Sequence, residues 1–343
     1  MGKRMQIVQV ASTYIGTVVG AGFASGQEIL QFFTFHGTLG LAGIIVTTGL
    51  FAWIGTKMMV LAHRIQANSY HQMNTYLFGQ TWGRVISLFI FVILLGVTSV
   101  MLASTGAIVE EQLGFPFQWG ILFTITLSFL VLIKGMKGLL SINLLVMPMM
   151  LGFTLLVASQ LGLKGFYAEV YAYPDHGKWL FHSITYAAFN LAMVQAVLVP
   201  LGSEIKDESV LKWGGLLGSL TLGLMLSISH MALHYHMPQI WDFAIPMAEI
   251  IRNLGNAVRL LFLVVVFGEV FTTLVGNVFG MTRQIQQVYP IPQKLIVLLL
   301  LFGCLLIGQI GYSSLLSALY PVFGYMGLFL MVSLMFKRMP AKS

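Results

Sequence analysis

The sequence predicts an all-α integral membrane protein with about ten transmembrane helices. Of its 343 residues, 57% are hydrophobic and only 8% are charged, whereas a soluble domain carries about 25% charged residues. The apolar residues form runs near the ~20 residues that a helix needs to cross a bilayer. The ten runs are roughly 6–33, 38–63, 83–112, 117–134, 138–163, 179–204, 210–235, 256–284, 293–311 and 314–336. They predict a single transmembrane domain.

The basic residues predict the orientation of these spans. Ten spans place both termini on the same side of the membrane. All but four of the 18 lysines and arginines fall at the loops and helix ends of that side, the exceptions being Lys164, Lys178, Arg252 and Arg259. Because cytoplasmic loops are rich in basic residues, we expect a multi-pass protein of the cell membrane with both termini in the cytoplasm. The net charge of +7 is spread thinly, so no nucleic-acid partner is predicted.

The composition argues against an enzyme. The chain has one cysteine, Cys304, which excludes an intramolecular disulfide and a multi-cysteine metal site. No nucleophile elbow, Walker loop, HExxH or dinucleotide fingerprint occurs in the sequence. We therefore expect no enzymatic activity and no cofactor, apart from a possible bound Na⁺.

The first span contains the stretch GTVVGAGFASGQEI, residues 16–29, which combines four glycines with Glu28. A glycine inside a helix costs about 1 kcal/mol relative to alanine. We predict that the helix breaks at Gly20-Ala21-Gly22, because irregular backbone at membrane depth is tolerated where it lines a cavity or meets protein. The small residues also fit a helix-packing face, but such a face needs no acid.

A break of this kind presents two opposite poles to a ligand. The half-helix ending near Val19 exposes carbonyl oxygens, which favour an ammonium group or a cation, and the half-helix starting near Phe23 exposes amides, which favour a carboxylate. One broken helix thus suits a small zwitterion. The residues predicted to bind the zwitterion at the break are Val19, Gly20, Ala21, Gly22, Phe23, Ala24, Ser25 and Gly26.

The sixth span is predicted to supply the second broken helix. Its centre reads Ala187-Ala188-Phe189-Asn190 and follows the first break by about half the chain length. Five spans in each half give the halves opposite orientations, so we predict inverted repeats over about 6–163 and 179–336. We expect Phe189, Asn190 and Ser99 to contact the substrate. An interhelical hydrogen bond is an equally good explanation for Asn190.

Only two of the eleven acids fall within spans, Glu28 and Glu269. An acid at bilayer depth costs at least ~2.5 kcal/mol, which favours a functional role for Glu269 over a structural hydrogen bond. Thr272 and Thr273 lie on the same helical face as Glu269, and oxygen ligands suit a hard cation such as Na⁺. The carboxyl group alone could instead carry a proton, and the threonines could simply bond to their own helix.

Glu28 is predicted to act as a gate. It lies about 9 Å beyond Gly22 at 1.5 Å per residue, toward the outside. From its depth alone, we expect it to pair with Arg259.

The first helix also resembles that of a known superfamily. TYIGTVVGAGFASGQEI is similar to the first helix of the LeuT-fold, or amino acid–polyamine–organocation, superfamily, which carries a G-x-G break there. With the FF that follows, it resembles the YkvI-type family of proposed bacterial amino acid permeases. LGSEIKD resembles the motif that closes the sixth helix of amino acid permeases. The resemblance implies a five-plus-five inverted repeat with helices 1 and 6 broken.

The resemblance also implies an ion site. In sodium-coupled members, carbonyls of helix 1 and a carbonyl and two hydroxyls of helix 8 bind Na⁺; the matching residues here are Gly16, Val19, Glu269, Thr272 and Thr273. Glu269 departs from the small neutral residue of that pattern. The coupling ion therefore stays open between Na⁺ and H⁺.

Together these features predict a cation-coupled secondary transporter of an amino acid or similar small zwitterion, working by alternating access. Its partners are then the substrate, the coupling cation and the lipid bilayer. Two alternatives remain: an inorganic-ion transporter or channel, and a membrane receptor that senses a metabolite on the same fold.

Overall fold

The computed structural model describes residues 2–165, 177–241, 243, 245–308 and 313–341, and this part of the chain is helical without β-strands. Its α-helices are α1 (Lys3–Val18), α2 (Ala21–Ser25), α3 (Gln27–Phe32), α4 (Thr38–Leu50), α5 (Thr56–Ile65), α6 (Tyr70–Leu113), α7 (Phe117–Leu132), α8 (Met136–Gly165), α9 (Trp179–Glu204), α10 (Glu208–Tyr235), α11 (Pro246–Ile251), α12 (Asn256–Val288), α13 (Gln293–Gly308) and α14 (Ser313–Phe336).

These helices cover the ten predicted spans, although α6 begins at Tyr70, before the predicted start of the third span at 83, and turns at Gly79, whose φ is 80°. Six helical stretches are long and apolar enough to cross a membrane: Thr38–Ile65, Tyr70–Glu110, Met136–Ser159, Trp179–Glu204, Glu208–Tyr235 and Asn256–Val288. Three shorter apolar helices fall on the fourth, ninth and tenth predicted spans, and α1, α2 and α3 share the first. A turn of π-helix joins α4 to α5 within the second span. The prediction of an all-α membrane protein is confirmed.

The first span is broken as predicted, but the predicted break in the sixth span is wrong. Helix α9 runs without interruption through Ala187-Ala188-Phe189-Asn190. Alanine favours the helix, and α9 contains no glycine before Gly202. The polar side chain does not open the helix either, since Asn190 Nδ2 donates to the carbonyl of Tyr186 one turn earlier, at 3.0 Å.

Helices α1 and α9 lie at the centre of the bundle. Residues Val10 to Val18 of α1 are all buried, and α9 is the most buried of the long helices. Helices α8, α10 and α12 pack on α1, while α4, α5, α12 and α14 pack on α9. The break therefore lies deep in the bundle, surrounded by protein.

One end of the bundle is closed by charged side chains. We call the end with Lys3, Arg64 and Glu208 the inner end, following the predicted orientation, and the opposite end, with α11, the outer end. Arg64 donates two hydrogen bonds to the buried carboxylate of Glu208, each 3.0 Å long, and Lys212 lies 2.7 Å from the same carboxylate. These contacts join α5 to α10.

Two further ion pairs surround this contact. Lys3, in the first turn of α1, lies 2.9 Å from Asp207 in the α9–α10 loop. The Lys3 ammonium and the backbone N–H of Ser209 lower the pKa of Asp207 to about 2, so this carboxylate stays charged at any physiological pH. Arg283 of α12 pairs with Glu204 at the end of α9. Both central helices are thus anchored at the inner end.

We predict that Glu208→Gln lowers the stability of the protein by about 2 kcal/mol, because it leaves the Arg64 guanidinium without its carboxylate. The midpoint of thermal unfolding in detergent measures this loss. The control is Lys212→Met, which removes a partner that is 57% exposed and should cost under ~1 kcal/mol. Equal midpoints for Glu208→Gln and the unmodified protein would contradict the prediction.

Candidate functional site

The break between α1 and α2 consists of two extended residues. Val19 has φ −76° and ψ 120°, and Gly20 has φ −131° and ψ −169°. Helix α2 is only five residues long and ends at Gly26, whose φ of 85° lies in the left-handed region that favours glycine. The chain therefore turns twice within a few residues, at bilayer depth, before α3 begins.

The hydroxyl of Thr273 bridges the break to α12. Its Oγ1 lies 2.9 Å from the carbonyl oxygen of Val19 and 3.0 Å from that of Glu269. The Thr272 hydroxyl also donates to the Glu269 carbonyl, at 3.1 Å. Four of the five groups predicted for an ion are thus brought together, and all are oxygens, the ligands that a hard cation prefers.

The fifth predicted group, Gly16, packs against a residue that sequence reasoning did not assign to the site. A Cβ on Gly16 would lie only 1.9 Å from Oδ1 of Asn143 on α8. Asn143 is fully buried, and this oxygen has no hydrogen-bond partner among the described residues. An asparagine near the start of the apolar fifth span was the available signal.

The carboxyl group of Glu269 faces a different space from the Thr273 hydroxyl. Glu269 is 3% exposed, and its Oε2 has no hydrogen-bond partner in the described part of the chain. The side chain lines a cavity of about 10 Å³, together with Phe23, Thr154 and Ser229. This volume is close to that of one water probe, so the cavity is large enough for about one water molecule or small cation.

A second, much larger cavity of about 590 Å³ lies on the other side of α2. Its walls come from α1–α3, α6, α9, α12 and α14, and Thr273 is part of them. Two of the lining residues, Gln31 and Phe181, are exposed near the outer ends of α3 and α9. The large cavity therefore extends from the break to the outer end, while the inner end is closed.

Glu28 lies inside this cavity and not beyond it. A Cβ on Gly22 would lie 2.1 Å from Oε1 and 2.5 Å from Cδ of Glu28, so the carboxyl group is folded back over the Gly22 Cα. The straight-helix estimate of about 9 Å was wrong for this group because the chain turns at Gly26. Arg259 is exposed in the first turn of α12 and is not a lining residue, so the predicted gate pair is not brought together.

The other predicted substrate residues are divided among different places. Gly20, Gly22, Phe189 and Asn190 line the large cavity. Phe23 and Ala24 line the small one. Ser25 donates its hydroxyl to the Gly22 carbonyl at 3.1 Å. The side chain of Ala21 is outside the described part.

Two amides of the segment predicted to bind a carboxylate are already used within the helix. The Ala24 amide donates to Gly20 and the Gly26 amide to Phe23, each at 3.0 Å. The amides that the start of a helix leaves without an intrahelical partner are those of its first turn, at positions 21–23.

Ser99 is buried away from the cavity. Its hydroxyl donates to the Leu95 carbonyl at 2.8 Å, and it faces Cys304 of α13. Ser104, further along the same helix, lines the cavity instead. Sequence reasoning also missed Gln27 and Gln31, which line the cavity from α3; their spacing of four residues on an otherwise apolar span was a usable signal.

The chain is similar along its length to two proteins of Bacillus subtilis (strain 168). It is 41% identical to the uncharacterized membrane protein YkvI over 336 residues, which cover 97% of this chain and 96% of YkvI. It is 26% identical to the uncharacterized protein YyaD over 321 residues, 94% of each chain. No protein-family model matches the chain.

Solved structures of transporters are similar in fold. A Na⁺-coupled sialic acid symporter in its substrate-bound outward-open state has a TM-score of 0.73 at 11% identity, over 96% of this chain and 79% of that one. A manganese transporter of Eremococcus coleocola has a TM-score of 0.60 at 12% identity, over 97% of this chain and 76% of that one. The nucleobase-cation-symport-1 transporter Mhp1 has a TM-score of 0.54 at 13% identity, over 94% of this chain and 77% of that one. The chain has the LeuT fold.

We predict that Gly22→Ala and Glu28→Ala have strongly non-additive effects on stability. The added Cβ displaces the Glu28 carboxyl group, so Gly22→Ala alone should lower the unfolding midpoint. In the Glu28→Ala background the same change should be neutral or stabilising, since alanine favours α2 by about 1 kcal/mol. Unfolding of the two single variants and the double variant measures the coupling. Additive effects would mean that the Glu28 side chain does not lie over Gly22.

Proposed function

The chain belongs to the YkvI family of membrane proteins, and from this premise we propose that it is a cation-coupled secondary transporter of an amino acid or similar small zwitterion. The observation that carries the proposal is the broken first helix, which has a ligand-sized cavity on one side and a cluster of oxygen ligands at its end. A volume of about 590 Å³ lies within the usual range for small-molecule sites.

The substrate binds at the break in this proposal. Its ammonium group meets the carbonyl oxygens of the α1 end and the acidic wall of the cavity. Its carboxylate meets the first-turn amides of α2. Asn190, whose side chain lines the cavity near the break, supplies a further polar contact.

The coupling cation binds between α1 and α12, among the carbonyls of Val19 and Glu269 and the hydroxyls of Thr272 and Thr273. A cation there draws the end of α1 onto α12 and so holds the break in its substrate-binding shape. This gives the coupling a physical cause, because the ion and the substrate contact the same two extended residues. Na⁺ suits the oxygen cluster, whereas a proton would reside on Glu269.

The two ends of the bundle support alternating access in this proposal. The cavity reaches the outer end, while ion pairs of Lys3, Arg64 and Arg283 hold the inner end closed. Inward opening requires these pairs to separate and the outer residues of α3 and α9 to approach each other. With the predicted orientation, the structure is an outward-facing state of the proposed cycle.

We predict that Thr273→Val reduces Na⁺-driven uptake at least about tenfold, because valine removes the hydroxyl that contacts both carbonyls. Uptake of labelled amino acids into proteoliposomes is measured under imposed Na⁺ or pH gradients. The matched control is Thr282→Val, on the same helix, whose buried hydroxyl donates only to Val278. It should leave uptake within about twofold.

The outcomes separate the alternatives. Uptake driven only by a pH gradient and lost in Glu269→Gln would change the coupling ion to H⁺. Cation flux without uptake of any organic solute would replace the proposal by inorganic-ion transport. Substrate binding without net flux would replace it by a receptor.

A further inference from the structure

The walls of the large cavity carry a negative charge and no balancing positive charge. Glu28 is the charged side chain among its described lining residues. The segments 5–56, 85–133, 179–205, 260–282 and 295–336 contain no lysine or arginine. Their two histidines, His36 and His182, are not among the described residues that line the cavity. A substrate carboxylate therefore finds no basic side chain in these walls, whereas a cation finds an acid.

The Glu28 carboxyl group is held where a ligand can reach it. It lies over Gly22 in the cavity wall, and no hydrogen bond or ion pair joins it to another described residue. A carboxylate in a partly desolvated site is costly unless a countercharge is present. Because no cationic side chain is among the described residues that line the cavity, a cationic ligand is suited to supply this countercharge.

Aromatic side chains surround the same space. Phe32 and Phe189 line the cavity from α3 and α9, while Phe181 and Tyr325 line it from their more exposed positions. Aromatic faces attract ammonium groups and also pack against apolar bodies. The remaining lining includes Val97 and Met101 of α6, so most of the wall is suited to an apolar substituent.

The amide end of α2, which would bind the substrate carboxylate, is a weak binding site by comparison. Helix α2 is five residues long, so its dipole is small, and the Glu28 carboxyl group already lies over its first turn. A substrate carboxylate near these amides would meet a like charge. The cavity thus favours binding of the ammonium group far more than binding of the carboxylate.

We propose that Glu28 binds the ammonium group of the substrate, and that the substrate is an amine or amino acid with a large apolar side chain whose carboxylate contributes little to binding. This inference rests on the proposed function for the location of the substrate, and it replaces the predicted gating role of Glu28. It also explains the glycine at position 22, because a larger residue would displace the carboxylate from the wall.

Matched ligand triplets test the inference. The first triplet is phenylalanine, phenethylamine and hydrocinnamate; the second is leucine, isopentylamine and isocaproate. Binding to the purified full-length protein is measured by calorimetry and by the shift in unfolding temperature. The amines should bind within about tenfold of the amino acids, and the acids at least about a hundredfold more weakly.

The variant Glu28→Gln should weaken binding of the amines by about 10- to 100-fold, which corresponds to loss of a charge-assisted hydrogen bond. Its unfolding midpoint without ligand should not fall, since glutamine keeps the shape and removes an unpaired charge. Glu28→Asp, which keeps the charge at shorter reach, should bind with intermediate affinity. The control is Glu249→Gln on α11, an acid outside the cavity that pairs with Arg252 at 3.0 Å.

Three results would overturn the inference: acids that bind as tightly as the amino acids, unchanged amine binding by Glu28→Gln, or no binding by any member of either triplet. Uptake into proteoliposomes separates this site from the proposed function. Substrate flux that does not depend on Glu28 retains the transporter and removes the ammonium site. Glu28-dependent amine binding without flux retains the site and removes the transport function.

Discussion

The carbonyl oxygen of Val19 is the group on which the rest of the structure depends. A backbone carbonyl without its helical partner costs several kcal/mol at bilayer depth, and the break leaves this carbonyl pointing into the bundle. Thr273 satisfies it from α12 at 2.9 Å. Helix α12 must therefore stay against α1 in the middle of the membrane, and this contact sets where the two cavities lie on either side of α2.

The need to satisfy the Val19 carbonyl also connects the stability of the fold to the proposed ion binding. Hydroxyl and carbonyl oxygens that satisfy one another in the protein are also the ligands that a hard cation accepts. A cation that enters the cluster replaces hydrogen bonds by stronger contacts with the same atoms. In the proposed mechanism the fold needs no dedicated binding loop, because the groups that hold the break closed are also the proposed ligands of the ion.

Two acids on opposite sides of one short helix provide a second constraint. Glu28 lies in the large cavity and Glu269 in the small one, and two carboxylates repel each other when both are ionised. A cation bound next to one acid would offset its charge and so favour the charged form of the other. Such mutual assistance is a coupling free energy between two sites, and it requires only that α2 keep both acids close to the break.

The sequence by itself determined the ten spans, the position of the first break and the two acids at membrane depth. These properties are local: a bilayer demands a continuous apolar run, glycine weakens a helix wherever it stands, and an acid in an apolar segment can be identified from its neighbours. The continuous α9 is local too, since alanines without a glycine do not break a helix. The break was expected there because small residues and Asn190 lie about half a chain after the first break.

Only the tertiary structure decided which groups meet. Spacing along a helix does not determine how that helix is rotated toward its neighbours, so it could not distinguish Ser104, which lines the cavity, from Ser99, which faces α13. Nor could it show that the turn at Gly26 folds Glu28 back over Gly22, or that Thr273 and the Glu269 carboxyl group face different cavities. These features depend on the packing of α12, α9 and α6 around the break, because a side chain on a buried helix takes its function from the helices that surround it.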